Sequence, residues 1–412
     1  MLCSYCHLNS LAQDYSQQAI CLVVALVYVS LRTSQSRTGK PSNIIMLATS
    51  VLALLSLSAT SLAWKWDQHH EHGSINYTTI GGFFLQDDTA TDPKTFDYTT
   101  VNYGLVNRSY PTDKEFDRHG KKTQWQRFEH YVNTLNRKAD KNTQYKVLFM
   151  ARHGEGYHNA AESYYGTPAW NCYWGPLDGN GTVIWKDARL TDAGLAQCTK
   201  ANEFWKYALA VAKIPAPQTY YSSPLTRSAT TANLTFASLD LPETRPFAPT
   251  VKELLREGIS IRSCDERSSR TALKTLLPGF RFEDGFTETD LLWRGDEGET
   301  SEAQARRAKT ALDDIFRHDG STWISLTTHS GQIATALKVL GHRVFSLSTG
   351  QAIPVLVKAK MVGEAPSPTT LVSFTPEATC FAPPVTSIQD QGCVCSSAAS
   401  AIVSVTAAPT PA

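Results

Sequence analysis

The sequence predicts an α/β fold of three layers, α/β/α, around a mostly parallel sheet. Three observations carry this expectation. Between about residues 144 and 363, short apolar runs alternate with segments of helical periodicity. The runs show no polar alternation, as strands covered on both faces require. Several of them end in Arg, His or Gly just before a helix begins, where open α/β sheets hold their ligands.

The elements follow in order. Residues 125–138 place Phe128, Tyr131, Val132 and Leu135 at helical spacing. The run at 145–151 reads as a buried strand. Strands are expected at 218–222, 323–328 and 355–359, and helices at 193–212, 227–238, 301–317 and 330–340. Residues 64–143 form an N-terminal extension packed on this core. Residues 364–412, rich in Ala, Ser, Thr and Pro without periodicity, form a tail that Cys380, Cys393 or Cys395 could pin. At about 150 residues per domain, 412 residues allow two or three units.

Composition narrows the function. Lys and Arg number 39 against 38 Asp and Glu, a net charge of +1. A nucleic-acid-coating protein needs a basic excess to displace counterions, so none is expected. A local basic pocket remains allowed.

Residues 1–63 read as a leader. An apolar run at 19–31 precedes Arg32, Arg37 and Lys40. A charge-free stretch follows to Trp64, with Ser61 and Ala63 at the −3 and −1 positions of a cut. This is a secretory pattern, so a secreted protein is expected. An uncleaved membrane anchor over 44–63 is the alternative. Residues 1–45 read as an extension ahead of a start at Met46. Four glycosylation sequons begin at Asn76, Asn107, Asn180 and Asn233. Of nine cysteines, the leader holds Cys3, Cys6 and Cys21; the six others form an even set suited to disulfides. His69, His70 and His72 read as a solvated mature N-terminus, and no metal site is expected.

Three segments carry the chemistry. The strand at 145–151 runs into Arg152-His153-Gly154-Glu155-Gly156-Tyr157-His158-Asn159. The strand at 323–328 runs into His329-Ser330-Gly331. The segment Ser223-Pro-Leu-Thr-Arg227 puts an Arg where a strand meets a helix. Two guanidinium groups and two imidazoles converging on one point would cradle a phosphate. Arg118-His119-Gly120 repeats the tripeptide with no buried strand leading into it, so it reads as a surface coincidence.

These pieces, with Asp187-Ala-Arg-Leu190-Thr191-Asp-Ala-Gly194-Leu-Ala-Gln197 and Leu255-Arg-Glu257, resemble the histidine phosphatase superfamily in its phosphoglycerate-mutase-like branch. The resemblance is closest to fungal phosphomutase-like members, with Cys264-Asp265-Glu-Arg267 after the Leu-Arg-Glu. It implies that His153 is the nucleophile and forms a phosphohistidine. Arg152, Arg227 and His329 would hold the phosphoryl oxygens, Asn159 would add a neutral donor, and Gly331 would lie against the substrate. Glu257 would be the general acid and base, with Glu253 as runner-up. The nucleophilic nitrogen must be unprotonated, so the other ring nitrogen is expected to donate to a backbone carbonyl. No cofactor or metal is implied. The implied partner is a small phosphorylated substrate, with a membrane only if the leader is retained.

The expected function is a metal-independent phosphomonoester hydrolase. A phosphomutase and a non-catalytic phosphate-binding protein are the alternatives. The aromatics at 164–185 either wall the site or pack the N-terminal extension onto the core. Arg262, Arg267 and Arg270 either widen the positive pocket or pair at the surface with Asp265 and Glu266, the reading favoured here. The segment 287–293 reads as a further wall of the site.

Overall fold

A computed structural model describes residues 73–364, 372–384 and 395. The leader, the three histidines at 69–72 and much of the tail lie outside the described residues. No helix among the described residues is long and apolar enough to cross a membrane.

The main elements are β1 (Gly73–Thr79), α1 (Gln124–Lys138), β2 (Thr143–Arg152), α2 (Tyr157–Tyr165), α3 (Asp192–Tyr207), β3 (Thr219–Ser222), α4 (Thr226–Phe236), β4 (Thr250–Val251), α5 (Arg270–Leu276), β5 (Arg281–Phe282), β6 (Glu297–Glu299), α6 (Ser301–His318), β7 (Trp323–Thr328), α7 (Ser330–Val339), β8 (Ala352–Glu364) and β9 (Phe374–Pro376). Seven strands form one sheet in the order β1-β8-β2-β7-β3-β4-β5. The pairs β2·β7, β7·β3, β3·β4 and β4·β5 are parallel; β8 runs antiparallel to both β1 and β2. The sheet is therefore mostly parallel, with a mixed edge.

Burial explains the layers. Val147, Leu148, Phe149 and Met150 of β2 are all buried, as are all six residues of β7. Alternate side chains point to opposite faces, so both faces must be covered. On one face Phe149 packs on Trp205 of α3 and Trp125 of α1. On the other, the Lys146 ammonium stands over the Phe316 ring of α6 and donates to the carbonyls of Asp319 and Ser321.

Local chemistry starts the helices. Thr123 caps α1 in a reciprocal box with Gln126. Thr191 and Thr300 cap α3 and α6 through Gly194 N–H and Ala303 N–H.

The stretch expected as an extension is, from Gly73 on, part of the same sheet and core. β1 pairs along the outer edge of β8, with Ile75 opposite Met361. Phe84, Tyr103, Trp125 and Phe128 belong to one hydrophobic cluster with Phe149. In β1 only Ile75 is buried, so its sequence lacks the apolar run of a central strand.

The tail adds β9, which pairs antiparallel with β6. Cys380 forms a disulfide with Cys395, and Cys172 is also disulfide-bonded. Cys380 N–H donates to Cys172 O at 2.9 Å, so the tail docks on the loop after α2. Cys198 and Cys264, within the set that suits disulfides by number, are buried free thiols.

Candidate active site

The carboxyl ends of β2, β7, β3 and β4 lie side by side in the parallel part of the sheet. Their continuations bring Arg152, His153, Asn159, Arg227, Glu257 and Gly331 into one cavity of about 420 Å³. His329 stands behind them, its ring centroid 5.0 Å from that of His153.

His153 is buried. One ring nitrogen, Nδ1, lies 2.7 Å from Gly154 O, an acceptor only, so Nδ1 carries the proton. Nε2 is left with its lone pair. Burial, then Arg227 and Arg152, push the imidazole pKa well below its usual value, so the ring is neutral at pH 7.

The loop that holds His153 is fixed by the 187–197 motif. A Cβ on Gly154 would stand 2.6 Å from Gly194 O, and one on Gly194 2.1 Å from Glu155 O. Only paired glycines allow this approach. Gln197 Oε1 accepts from Glu155 N–H at 2.8 Å, and Thr191 donates to the Glu155 carboxylate at 2.7 Å. Glu155 is thereby a brace for the loop. Asn159 Oδ1 accepts from Gly156 N–H at 3.0 Å, closing the turn into α2.

Arg227 is buried at the first turn of α4. Asp187 fixes that turn by accepting from Thr226 N–H and Thr226 Oγ1 at 2.8 and 2.7 Å. It does so from a left-handed backbone (φ 38°), strain that a packed site can hold in place. Arg227 Nη1 donates to Cys264 O at 2.6 Å, and Nη2 lies 3.6 Å from Asp265. Arg152 Nη1 donates to Leu347 O at 2.8 Å.

His329 Nε2 is 2.8 Å from Ser223 Oγ. That hydroxyl also accepts from Leu225 N–H, and Nε2 is the acceptor within reach of its own proton. The His329 proton then sits on Nδ1. Nδ1 of His329, Nε of Arg152, Nε of Arg227 and Nδ1 of His158 are all buried without a partner among the described residues. A buried orphan polar atom costs about 1–3 kcal/mol. Three of the four, on Arg152, Arg227 and His158, belong to residues that line the cavity, where a polar ligand could satisfy them.

Glu257 reaches the cavity just after β4. Its Oε1 accepts from Gly258 N–H and Gln332 N–H at 3.0 and 2.8 Å, and Oε2 from Gly331 N–H at 3.1 Å. The carboxylate thus caps α7, whose N-cap His329 offers no side-chain cap. Gly331, expected to lie against the substrate, lines the cavity, and its N–H is committed to Glu257.

Glu253, the runner-up, bonds Arg267 Nε at 2.7 Å and Arg256 Nη1 at 3.1 Å. Arg256 and Arg267 are buried, and Asp290 completes the cluster through Arg256 Nη2 at 2.6 Å. Glu253 is a structural counter-ion and does not line the cavity.

One expectation is corrected here and one open alternative is decided. Arg267 does not pair at the surface with Asp265 or Glu266; it is buried against Glu253 and the carbonyls of Thr287 and Thr289. The aromatics at 164–185 do not tie the extension to the core. Trp170, Trp185 and Cys264 form a separate cluster, with Tyr165 and Trp174 packed on it, and Trp170 lines the cavity. The 287–293 segment supports that wall: Asp290 holds Arg256 and Trp293 Nε1 donates to Arg262 O. Arg118, His119 and Gly120 lie exposed, remote in character from the buried Arg152 and His153.

His158 was given no role by the sequence. Its ring centroid is 5.4 Å from that of His153, and burial holds its pKa well below the usual value. Its placement five residues after His153, in the first turn of α2, was the available signal.

An α/β sheet with histidines at the ends of β2 and β7 and an Arg from each of two junctions defines a phosphate-handling class of fold. The chain belongs to the histidine phosphatase superfamily (branch 1), whose family model matches residues 148–348. It is 49% identical over 292 residues to a "Probable phosphoglycerate mutase" of Arthroderma benhamiae, covering 71% of this chain and 87% of that one. It is 38% identical to "Phosphomutase-like protein 3" of Candida albicans, over 52% of this chain and 65% of that one. A "Probable phosphoglycerate mutase" of Saccharomyces cerevisiae is 32% identical, over 53% and 80%.

Proposed function

We propose that the protein hydrolyses a phosphomonoester through a phosphohistidine on His153, with Glu257 as general acid and base and without a metal. The observation that carries this reading is the free Nε2 of His153 on a cavity also lined by Arg152, Arg227 and His158, each with a buried nitrogen that lacks a partner among the described residues. Nε2 attacks phosphorus, and the P–O bond to the leaving group breaks. Arg152, Arg227 and His329 Nδ1–H stabilise the charge on the phosphoryl oxygens. Glu257 gives its proton to the departing oxygen. Oε2 accepts one N–H where Oε1 accepts two, so the proton is assigned to Oε2. In the second half Glu257 takes a proton from water. The hydroxide attacks phosphorus, the P–N bond breaks, and phosphate leaves.

The test is turnover of an aryl phosphate with a chelator present. Retained turnover, lost in His153→Ala, supports the reading; loss of turnover with chelator defeats it. The mutase names of the relatives favour a second reading, in which the phosphoryl group returns to an organic acceptor. Measuring the partition of the phosphoryl group between water and added alcohol or sugar acid separates the two. A secreted location is proposed with it. It is supported by the disulfides at Cys172 and Cys380–Cys395 and by the exposed sequon asparagines Asn76 and Asn107. Amino-terminal sequencing and glycosidase treatment of protein from its native source test that location.

A further inference from the structure

Two disulfides meet where the tail docks on the cavity wall. Cys380 Sγ lies 3.8 Å from Cys172 Sγ, although the two are 208 positions apart in the chain. Each is bonded to another cysteine: Cys380 to Cys395, and Cys172 in a disulfide of its own. The sulfurs of two separate disulfides are therefore in contact.

The backbone holds that contact. Cys380 N–H donates to Cys172 O at 2.9 Å. The tail before Cys380 is fastened too. β9 pairs with β6, Glu377 N–H donates to Asp296 O at 3.1 Å, and Thr300 N–H donates to Ser373 O at 3.1 Å. Thr300 caps α6, whose Arg307 donates to the carbonyls of Arg256 and Glu257 at 2.9 and 2.8 Å. Cys172 sits in the turn Trp170–Trp174, and Trp170 and Asn171 line the cavity. One tail segment thus runs from the helix that braces Glu257 to the turn that carries Trp170.

Exposure sets the order of attack. Cys172 and Cys380 are buried, whereas Cys395 is half-buried and is the sulfur that a reductant in solution meets first. A thiolate attacks one sulfur of a disulfide and expels the other. Attack on Cys395 leaves the charge on buried Cys380, where burial disfavours it. The Cys172 disulfide is the electrophile in contact with that sulfur. The free thiols have other neighbours: Cys198 Sγ is 3.6 Å from Thr231 Oγ1, and Cys264 Sγ 3.8 Å from Asp265 Oδ1.

The geometry points to a disulfide relay, in which a dithiol reductant that opens Cys380–Cys395 moves the crosslink of the tail onto Cys172. One sulfur of the dithiol bonds to Cys395 Sγ, and the Cys380–Cys395 bond breaks. The Cys380 thiolate attacks Cys172 Sγ. The Cys172–Cys380 bond forms, and the former partner of Cys172 leaves as a thiolate and takes up a proton. The second sulfur of the dithiol then releases Cys395 as a thiol and closes the reductant's own disulfide. Two electrons and two protons pass from the dithiol to two cysteines, and the chain ends with one disulfide fewer. A reducing environment thereby ties the tail covalently to the cavity wall instead of loosening it.

The experiment treats the intact protein with one equivalent of dithiothreitol, quenches in acid, alkylates the thiols and maps the linked peptides by mass spectrometry. The expected result is a gain of Cys172–Cys380 equal to the loss of Cys380–Cys395, with two new thiols, one of them Cys395. In urea, where the contact is lost, the same treatment should give no preference for that pair. Loss of Cys380–Cys395 without Cys172–Cys380 overturns the relay, and so does an equal yield of the pair in urea. Cys395→Ser asks the same question without a reductant. Cys380 is then a thiol beside the Cys172 disulfide and should be found bonded to Cys172. A free Cys380 thiol in the folded variant overturns the relay; if that variant does not fold, the wild-type map decides.

Discussion

Glu257 occupies the space that a side chain on Gly331 would need. A Cβ at Gly331 would stand 2.4 Å from Glu257 Oε1, while the Gly331 N–H donates to Oε2 at 3.1 Å. The glycine two residues after His329 therefore lets an acid from one strand end cap the helix that starts at another. Gly331→Ala should push the carboxylate off α7 while leaving His153 in place. The expected result is a fall in kcat with trapping of phosphate on His153 retained. Equal loss of both would show that the glycine serves the fold and not Glu257.

Glu257 and Glu253 are four residues apart and predict opposite phenotypes. Glu257→Gln removes the transferable proton and should lower kcat by about a hundredfold to ten-thousandfold on alkyl phosphates. The loss should shrink on p-nitrophenyl phosphate, whose leaving group needs no proton. Glu253→Gln should leave that leaving-group dependence intact. It strips the counter-ion from buried Arg256 and Arg267 and should cost about 3 kcal/mol of stability. Denaturant midpoints and a leaving-group series on both variants check the contrast.

This contrast marks what the sequence could and could not convey. The strands leading to Arg152 and His329 were legible, because a strand covered on both faces is a continuous apolar run. The expected strand at 323–328 coincides with β7, and the expected helices over 301–317 and 330–340 end within a residue of α6 and α7. β1 escaped notice because an edge strand buries only Ile75, and β4 and β5 because two residues carry no period. The Arg256–Asp290 and Arg267–Glu253 pairs span 34 and 14 residues, so no local pattern reveals them. Arg267 read as a surface charge for that reason. His158 read as a motif residue without a task, because its role depends on α2 turning it back beside His153.

The tautomer of His153 fixes where phosphate should be found. With Nδ1–H tied to Gly154 O at 2.7 Å, only Nε2 can be phosphorylated. Rapid quench with labelled substrate should yield an acid-labile, base-stable adduct. Phosphorus–proton correlation NMR of the denatured adduct should place it on Nε2. An adduct on Nδ1, or on His158 or His329, would contradict the geometry.

The same histidines should give the protein a specific acid sensitivity. His153, His158 and His329 are buried, and burial, reinforced by Arg227, holds each pKa well below 6.5. The unfolded chain takes up these protons near pH 6.5, while the folded chain does not. Stability therefore rises with pH wherever the unfolded state binds more protons, and falls as pH drops below about 6.5. His130, also lowered, adds in the same direction. Asp290 does not interfere in this range. Burial pushes its pKa up, but the bond and charge of Arg256 together with backbone N–H donors bring it down to about 2, so its contribution is lost only below about pH 4. Urea midpoints should decline steadily from pH 6.5 to 5. His158→Phe should make that decline shallower by close to one proton. A midpoint that is flat down to pH 5 would mean that the folded site already accepts these protons, and the neutral cradle described here would be wrong.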